Sequence, residues 1–408
     1  MSHLVKRETY LRKIRPLIGK PLIKVITGIR RCGKSTMFTQ IIDELIESGV
    51  QGDKIIRMNL DDLQYLNLRE AVPLYEYISE LIKDGSYYYV FLDEIQNVNG
   101  WENTVNSILL KENADIYISG SNSRLLSSEL ATFIAGRYVA VEIHTLSLKE
   151  FAEFRKKYQP HTENERSLLD DYIHTGGFPM ASRGDFDAAT VKNIVNDIYQ
   201  TVFLKDAVTR NKVRNSQKLE RFLMFMFDNI GNPFSARMIS REFEKNDMNL
   251  DVNTIIKYLD YLESAYILRR AQRYEMRGKR IIGSEDKYYV SEISLIYPLI
   301  GYKSGMISGI EENIIYSELI RRDYSVNVGR TYDGKEIDFV AEKDGKKVYV
   351  QVSHRISSEE AVEREFRALE GIKDNYPKYV VVSEGRWPLD RGGIQQISLV
   401  DFLLSDSL

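Results

Sequence analysis

The run Val25-Ile26-Thr27-Gly28-Ile29-Arg30-Arg31-Cys32-Gly33-Lys34-Ser35-Thr36 decides how this chain folds. Gly28, Gly33, Lys34 and Ser35 stand in the spacing G-x-x-x-x-G-K-[ST], the pattern of a loop that holds phosphate. The apolar stretch Leu22-Ile23-Lys24-Val25-Ile26 ahead of it suits a buried parallel strand. Glycine then lets backbone N–H groups close around phosphate oxygens. A helix expected from about Lys34 turns its positive dipole end toward the same anion. Residues Gly28, Ile29, Arg30, Arg31, Cys32, Gly33, Lys34, Ser35 and Thr36 are therefore the expected phosphate cradle. Lys34 is placed to reach the outer phosphates and Ser35 to hold Mg²⁺.

Working outward, Met37, Phe38, Ile41, Ile42, Leu45 and Ile46 recur at helical spacing, and Gly49 stops that helix. A second strand, Ile55 to Leu60, and a helix through Leu74, Ile78 and Leu81 come next. The continuous strand Tyr87 to Leu92 then ends in Asp93-Glu94. An acid at the carboxyl end of a buried parallel strand sits where open α/β sheets bind ligands. Asp93 is thus the expected Mg²⁺ holder and Glu94 the group that polarises an attacking water. The plainer alternative is an acidic cap for the helix of Trp101, Val105 and Ile108. A fourth strand, Asp115 to Gly120, delivers the polar Ser121-Asn122-Ser123. Arg137 precedes a fifth strand, Tyr138 to Ile143. It reads either as an arginine finger, in its own site or a neighbour's, or as a surface arginine paired with acids.

Composition narrows the class. With 408 residues the chain exceeds one ordinary core, so two or three domains are expected. Charged residues are 28% but the net charge is only -3, so any nucleic-acid site has to be a local patch. The single cysteine, Cys32, excludes an internal disulfide framework and fits a reducing cytoplasm. Its place among helix-start N–H groups beside Arg31 and Lys34 predicts a lowered thiol pKa, and modification there would block the loop. The alternative is a small residue that the loop tolerates. The first residues resemble no signal peptide, and no apolar run is long enough to span a membrane, so a cytoplasmic location is expected.

Four segments are expected: an ATPase-type core over 1–146, helices over 147–212, a two-helix and hairpin segment over 213–303, and a second α/β segment over 304–408. Gly176-Gly177-Phe178-Pro179 divides the helices of the second segment. In the third, Asp251 caps a helix through Ile255, Leu259 and Leu262, and Arg269, Arg270, Arg273, Arg277, Lys279 and Arg280 form the densest positive cluster. Helix pairs with a basic hairpin resemble a winged helix, which binds duplex DNA or docks protein.

Gly28–Thr36, Asp93-Glu94-Ile95-Gln96, Ser119-Gly120-Ser121-Asn122, Gly136-Arg137 and Gly176-Gly177-Phe178-Pro179, in this order, resemble a widespread prokaryotic ATPase family. Its members join an AAA-type domain, with an inserted strand in a parallel sheet, to a helical lid, a winged helix and a restriction-endonuclease-like C-terminal domain. The resemblance implies ATP binding and Mg²⁺-dependent hydrolysis; the winged-helix reading adds coupling to DNA or a protein partner, and an Arg137 finger acting on a neighbour would need a homo-oligomer. It implies a γ-phosphate sensor at Ser121 or Asn122, between which the sequence does not choose. Nucleases of the C-terminal fold use a helix glutamate, an acid on one strand, and an acid and a lysine two apart on the next. Here Glu318, Glu336 and Asp338 are the candidates for the first positions, but Gln351 and Ser353 stand where the second acid and the lysine belong. A degenerate endonuclease-like domain without metal-dependent cleavage is the expectation.

Overall fold

The computed structural model describes residues 4–123, 136–158, 165–245, 248–276, 280–281, 285–331, 333–385 and 390–405, with main chain only at 165–166 and 280–281. The chain divides into two compact units, residues 1–145 with 264–266, and residues 146–263 with 267–408.

The first unit is built on a five-stranded parallel sheet. Its strands are β1 (Ile23–Thr27), β2 (Ile55–Asn59), β3 (Tyr88–Asp93), β4 (Ala114–Gly120) and β5 (Tyr138–Glu142), in the order β2-β3-β4-β1-β5. Strand β4 therefore lies between the strand that feeds the phosphate loop and the strand that ends in Asp93. This is the inserted-strand core expected from the sequence. Helices α1 (Glu8–Ile14), α2 (Lys34–Glu47), α3 (Ala71–Leu81) and α4 (Trp101–Leu109) cover the sheet.

Alternation along the strands makes the two faces different. Val90 and Leu92 join Leu74, Ile78, Val105 and Ile108 of α3 and α4 in one core. Phe91, between them, faces the other way, stacking on Tyr117 at 4.4 Å and meeting Phe38 of α2 edge-on at 5.2 Å. Lys24 is the exception in this apolar interior. Its ammonium is fully buried, bonded to Asp115 and to the Lys20 carbonyl at 2.9 Å. Burial pushes Lys24 down and Asp115 partly opposes that. Asp115 in turn accepts from the Gly19 N–H and the Tyr117 hydroxyl at 2.9 and 2.8 Å.

The second unit begins with α5 (Leu148–Tyr158), α6 (Glu165–Thr175) and α7 (Ala188–Thr201). The Gly176-Gly177 turn owes its glycines to Glu292: a Cβ on Gly176 would meet the Glu292 carboxylate at 2.2 Å, and the Gly177 N–H donates to it at 3.0 Å. Helices α8 (Ser216–Asp228), α9 (Ala236–Lys245) and α10 (Val252–Ser264) follow, the last capped by Asp251 through the Thr254 N–H at 3.0 Å. Strands β6 (Pro233–Phe234), β7 (Leu268–Ala271), β8 (Arg273–Glu275), β9 (Arg280–Ile281) and β10 (Asp286–Val290) are divided between two sheets. β6, β10 and β7 form a small antiparallel sheet, whereas β8 and β9 extend a larger one.

That larger sheet has eight strands. It is completed by β11 (Ser325–Arg330), β12 (Glu336–Lys343), β13 (Lys346–Ile356), β14 (Lys378–Gly385), β15 (Asp390–Arg391) and β16 (Ile394–Ser398), in the order β15-β16-β14-β13-β12-β11-β8-β9. The segments 213–303 and 304–408, separate in the sequence reading, thus share a sheet: β8 hydrogen-bonds in parallel to β11, Val328 beside Arg273. The long helix preceding β11 is α11 (Ile307–Arg321), and α12 (Glu359–Glu370) crosses between the parallel strands β13 and β14. Among the described residues no helix is long and apolar enough to cross a membrane.

The buried pair Lys24–Asp115 yields a stability test. Lys24→Met keeps the volume but strands a buried carboxylate, which should cost about 3–5 kcal/mol. The urea transition followed by Trp101 fluorescence, with the other tryptophan changed (Trp387→Phe), reads it. A change below about 1 kcal/mol would show the pair to be neutral.

Candidate functional site

Strand register brings the expected groups to one edge. All five strands run the same way, and Thr27 pairs with Gly120 on one side and Glu142 on the other. On the far side of β4, Leu92 pairs with Ile118, and Asn59 of β2 stands beside Asp93. The phosphate loop, Ser121-Asn122 and Asp93-Glu94 therefore leave the sheet at its carboxyl edge.

The loop is locked by backbone geometry. Gly28 has φ +138°, and a Cβ there would sit 2.1 Å from the Ile143 carbonyl oxygen, so only glycine fits. Arg31 and Gly33 also have positive φ, 69° and 108°. The Lys34 ammonium is buried against its own loop, donating to the Gly28 and Ile29 carbonyls at 3.0 and 3.1 Å. Ser35 is exposed and Thr36 half-buried at the start of α2. Arg30 reaches to 3.5 Å from the Ser121 hydroxyl. Ser121 and Asn122 are both buried beside the loop, so the ambiguity between them persists.

Asp93 and Glu94 are organised by a residue that sequence reasoning passed over. The Ser119 hydroxyl donates to the Asp93 carboxylate and accepts from the Glu94 N–H at 3.2 Å. Asp93 is buried, and Glu94 is held in the left-handed region at φ 55°, a conformation that costs a non-glycine residue about 1–3 kcal/mol. The Gln96 amide donates to the Glu94 carboxylate. A polar residue ending a fully buried strand was the available signal for Ser119.

Arg7 is the second missed residue. Its guanidinium is buried and donates to the carbonyls of Cys32 at 3.1 Å, His144 at 2.8 Å and Thr145 at 3.2 Å. It ties the phosphate loop to the chain leaving β5, and nothing in the spacing of residues 4–20 marks it. Arg57 of β2 also reaches the loop, donating to the Ser35 carbonyl at 3.0 Å.

Two expectations need correction. Cys32 is fully buried, and burial raises its thiol above the usual value, with Lys34 and Arg7 only partly opposing. The helix start lowers a thiol pKa only where water can solvate the thiolate, and here the side chain lies under the loop. Arg137 does not join the site. It precedes Tyr138, which pairs with Ile23 at the opening of β1, and its side chain bonds Asn106 at 3.1 Å. The length of β1 puts it about 13 Å from the phosphate edge of its own sheet. This places Arg137 away from its own chain's site, and its partner is an amide oxygen rather than the acid of the surface reading.

In the second unit two residues of the basic cluster, Arg270 and Arg273, are paired with acids. Arg270 bonds Asp286 at 2.7 Å, and Arg273 bonds Glu275 at 2.7 Å and Glu285 at 2.6 Å. Arg269 is half-buried opposite Tyr289. Arg277 and Lys279 lie outside the described residues, and Arg280 is described only as main chain.

The endonuclease-like candidates are brought together in part. Asp338, Glu336 and Gln351 line a cleft of about 950 Å³, with Asp338 N–H 3.4 Å from the Gln351 oxygen. Ser353 is buried on the same face of β13. Glu318 is elsewhere, bound to Arg321 and, at 2.7 Å, to Arg322. The helix carboxylate near Asp338 is Glu312 instead, and the charge opposite both is Lys287. Burial pushes Asp338 up, Glu312 acts in the same sense and Lys287 opposes.

The comparisons agree with this architecture. Residues 20–152 match the model of an AAA domain; residues 166–305 and 309–402 match two domains of unknown function, DUF8612 and DUF4143. An uncharacterized protein of Haemophilus influenzae is 35% identical over 402 residues, covering 98% of this chain and 99% of its own. An uncharacterized protein of Methanocaldococcus jannaschii is 30% identical over 367 residues, covering 86% of this chain and 79% of its own. A Walker-type ATPase of Pyrococcus abyssi shares the fold at 11% identity, with TM-score 0.51 over 72% of this chain and 95% of that one. The fold and loop define a P-loop protein of the AAA type. The chain belongs to a prokaryotic family of AAA-type ATPases that carry a C-terminal domain of unknown function.

Burial of Cys32 predicts that a maleimide labels the native chain at least about 100-fold more slowly than the urea-unfolded one, as for an inert structural thiol. Equal rates would return the thiol to the surface.

Proposed function

We propose that the first unit binds ATP with Mg²⁺ and hydrolyses it, and that turnover is coupled to a partner engaged by the second unit. The observation that carries this reading is the common carboxyl edge, where Lys34, Ser35, Asp93, Glu94 and Ser121-Asn122 leave neighbouring strands. The residues fit the ligand. A Gly28 without Cβ lets the loop backbone approach phosphate, Ser35 offers an exposed hydroxyl and Asp93 a buried carboxylate at the same edge of the sheet. The Thr27 hydroxyl, buried at the mouth of the loop, has no hydrogen-bond partner among the described residues and is a further polar atom at that edge.

In this reading Lys34 leaves the Gly28 and Ile29 carbonyls for the β- and γ-phosphates, a move of one flexible side chain. Ser35 and Asp93 hold Mg²⁺, which spreads the phosphate charge when bound. Ser119 orients the Asp93 carboxylate and fixes the Glu94 backbone, so the two acids take different tasks from adjacent positions. Glu94 accepts a proton from the attacking water, and Gln96 holds its carboxylate in place meanwhile. Ser121 or Asn122 senses the γ-phosphate, with Arg30 linking that loop to the cradle.

The partner is a protein in preference to duplex DNA. In the three-helix and small-sheet arrangement of α8, α9, α10, β6, β7 and β10 we read a winged helix, but Arg270 and Arg273 are already neutralised by Asp286, Glu275 and Glu285. Phosphate contacts need cations that can release counterions.

Lys34→Ala should weaken ATP affinity by at least tenfold, while Glu94→Gln should keep affinity and lower turnover about 10²–10⁴-fold. Isothermal titration and phosphate release measure the two. Full turnover by Glu94→Gln would remove Glu94 from the chemistry, and absence of nucleotide binding by the parent chain would remove the whole reading. Duplex DNA affinity that falls steeply with salt, and is lost on Arg277→Ala with Arg280→Ala, would reverse the choice of partner.

A further inference from the structure

We propose that Lys287 is the resident cation of a carboxylate cluster beside the C-terminal cleft, holding Glu312, Glu336 and Asp338 in the place a divalent metal ion would take. The inference does not depend on the ATP reading, since every residue in it lies in the second unit.

The ammonium lies 3.0 Å from Glu312, 2.7 Å from Glu336 and 3.8 Å from Asp338, and its side chain is only 3% exposed. The three carboxylates come from different elements, Glu312 from α11 and the other two from β12. None is within the strand that carries Lys287. Its main chain is fixed on both sides, paired with Pro233 of β6 and Ala271 of β7, so the ammonium is delivered by a rigid central strand. The carboxylates are oriented around it as well. Tyr289, two residues on along the same face of β10, donates its hydroxyl to Glu312 at 2.6 Å. The Val352 N–H donates to the second oxygen of Asp338 at 2.8 Å.

The groups that a dication would still need are committed elsewhere. A hard cation of this kind takes six or more oxygen ligands. The Gln351 oxygen faces the Asp338 N–H, and its amide nitrogen faces Glu365 at 3.3 Å. Among the described residues no group of three or more His, Cys, Asp or Glu side chains is arranged to hold a metal ion. An ammonium centred on the same carboxylates repels a second cation, most strongly on the buried side of Glu312 and Asp338. Lys287 therefore does for this cluster what a metal would do structurally, joining the small sheet to the eight-stranded one. It supplies none of the Lewis acidity that cleavage of a phosphodiester would draw on.

The test is Mn²⁺ binding by the full chain, stripped with EDTA and free of nucleotide, followed by electron paramagnetic resonance. The parent chain should show no Mn²⁺ that depends on Asp338. Lys287→Met should gain about one bound Mn²⁺ per chain, lost again when Asp338→Asn is added, because the carboxylate cage is then without a cation. Lys287→Arg, which keeps the charge, should behave as the parent. A parent chain that binds Mn²⁺ and loses it on Asp338→Asn would overturn the proposal, since metal and lysine would then coexist. A folded Lys287→Met chain that binds none would also overturn it. If Lys287→Met does not fold, as judged by circular dichroism, the parent and Asp338→Asn titrations alone decide.

Discussion

The approach of the Ile143 carbonyl to Gly28 governs the first unit. A single methyl group at that position would lie 2.1 Å from the oxygen. The loop that carries Lys34 therefore packs directly on the chain leaving β5, with no side chain between them. Arg7 reinforces the same joint, since its guanidinium spans the carbonyls of Cys32, His144 and Thr145. The Cys32 carbonyl is thus turned toward a buried cation on one side of the loop. A phosphate cradle requires N–H groups that are already oriented before the anion arrives. The cost of assembling it is met in folding, by glycine conformations and one buried arginine.

A comparable division of labour recurs at β3. Asp93 and Glu94 are adjacent in sequence but differ in burial and backbone conformation. Ser119 makes that difference, because one hydroxyl serves the first as a donor and the second as an acceptor. The inserted position of β4 is what brings Ser119 there, opposite the end of β3 and beside β1. Topology and chemistry are linked at this residue: without a strand between β1 and β3, the two acids would lose their organiser.

Buried lysines illustrate how local context sets the role of one side chain. Lys24 neutralises Asp115 inside the sheet and is shut off from any ligand. Lys34 rests on carbonyl oxygens, which attract it less than a phosphate does, so it can be drawn away. Lys287 faces three carboxylates and has no stronger partner to leave them for. Partner charge, more than depth of burial, separates the structural cation from the mobile one.

The sequence by itself determined the ATPase-type core, because its signals are local. A glycine pattern, a following helix and an acid at a strand end each depend on a few consecutive residues, and the parallel strand order places them at one edge. The glycines of Gly176-Gly177 were visible too, but their cause, the Glu292 carboxylate more than a hundred residues later, was not. Tertiary structure alone decided what depends on distant partners. Cys32 is inaccessible and its thiol pushed up because the loop covers it, Arg137 sits at the end of β5 away from its own chain's phosphate edge, and Glu312 in place of Glu318 faces Asp338. Helical periodicity puts several glutamates of α11 within reach of plausible sites, and only packing selects among them. Arg7 and Lys287 carry no motif, and Ser119 stands in one without its role being marked, since their meaning lies in atoms that the fold, and not the chain, makes adjacent.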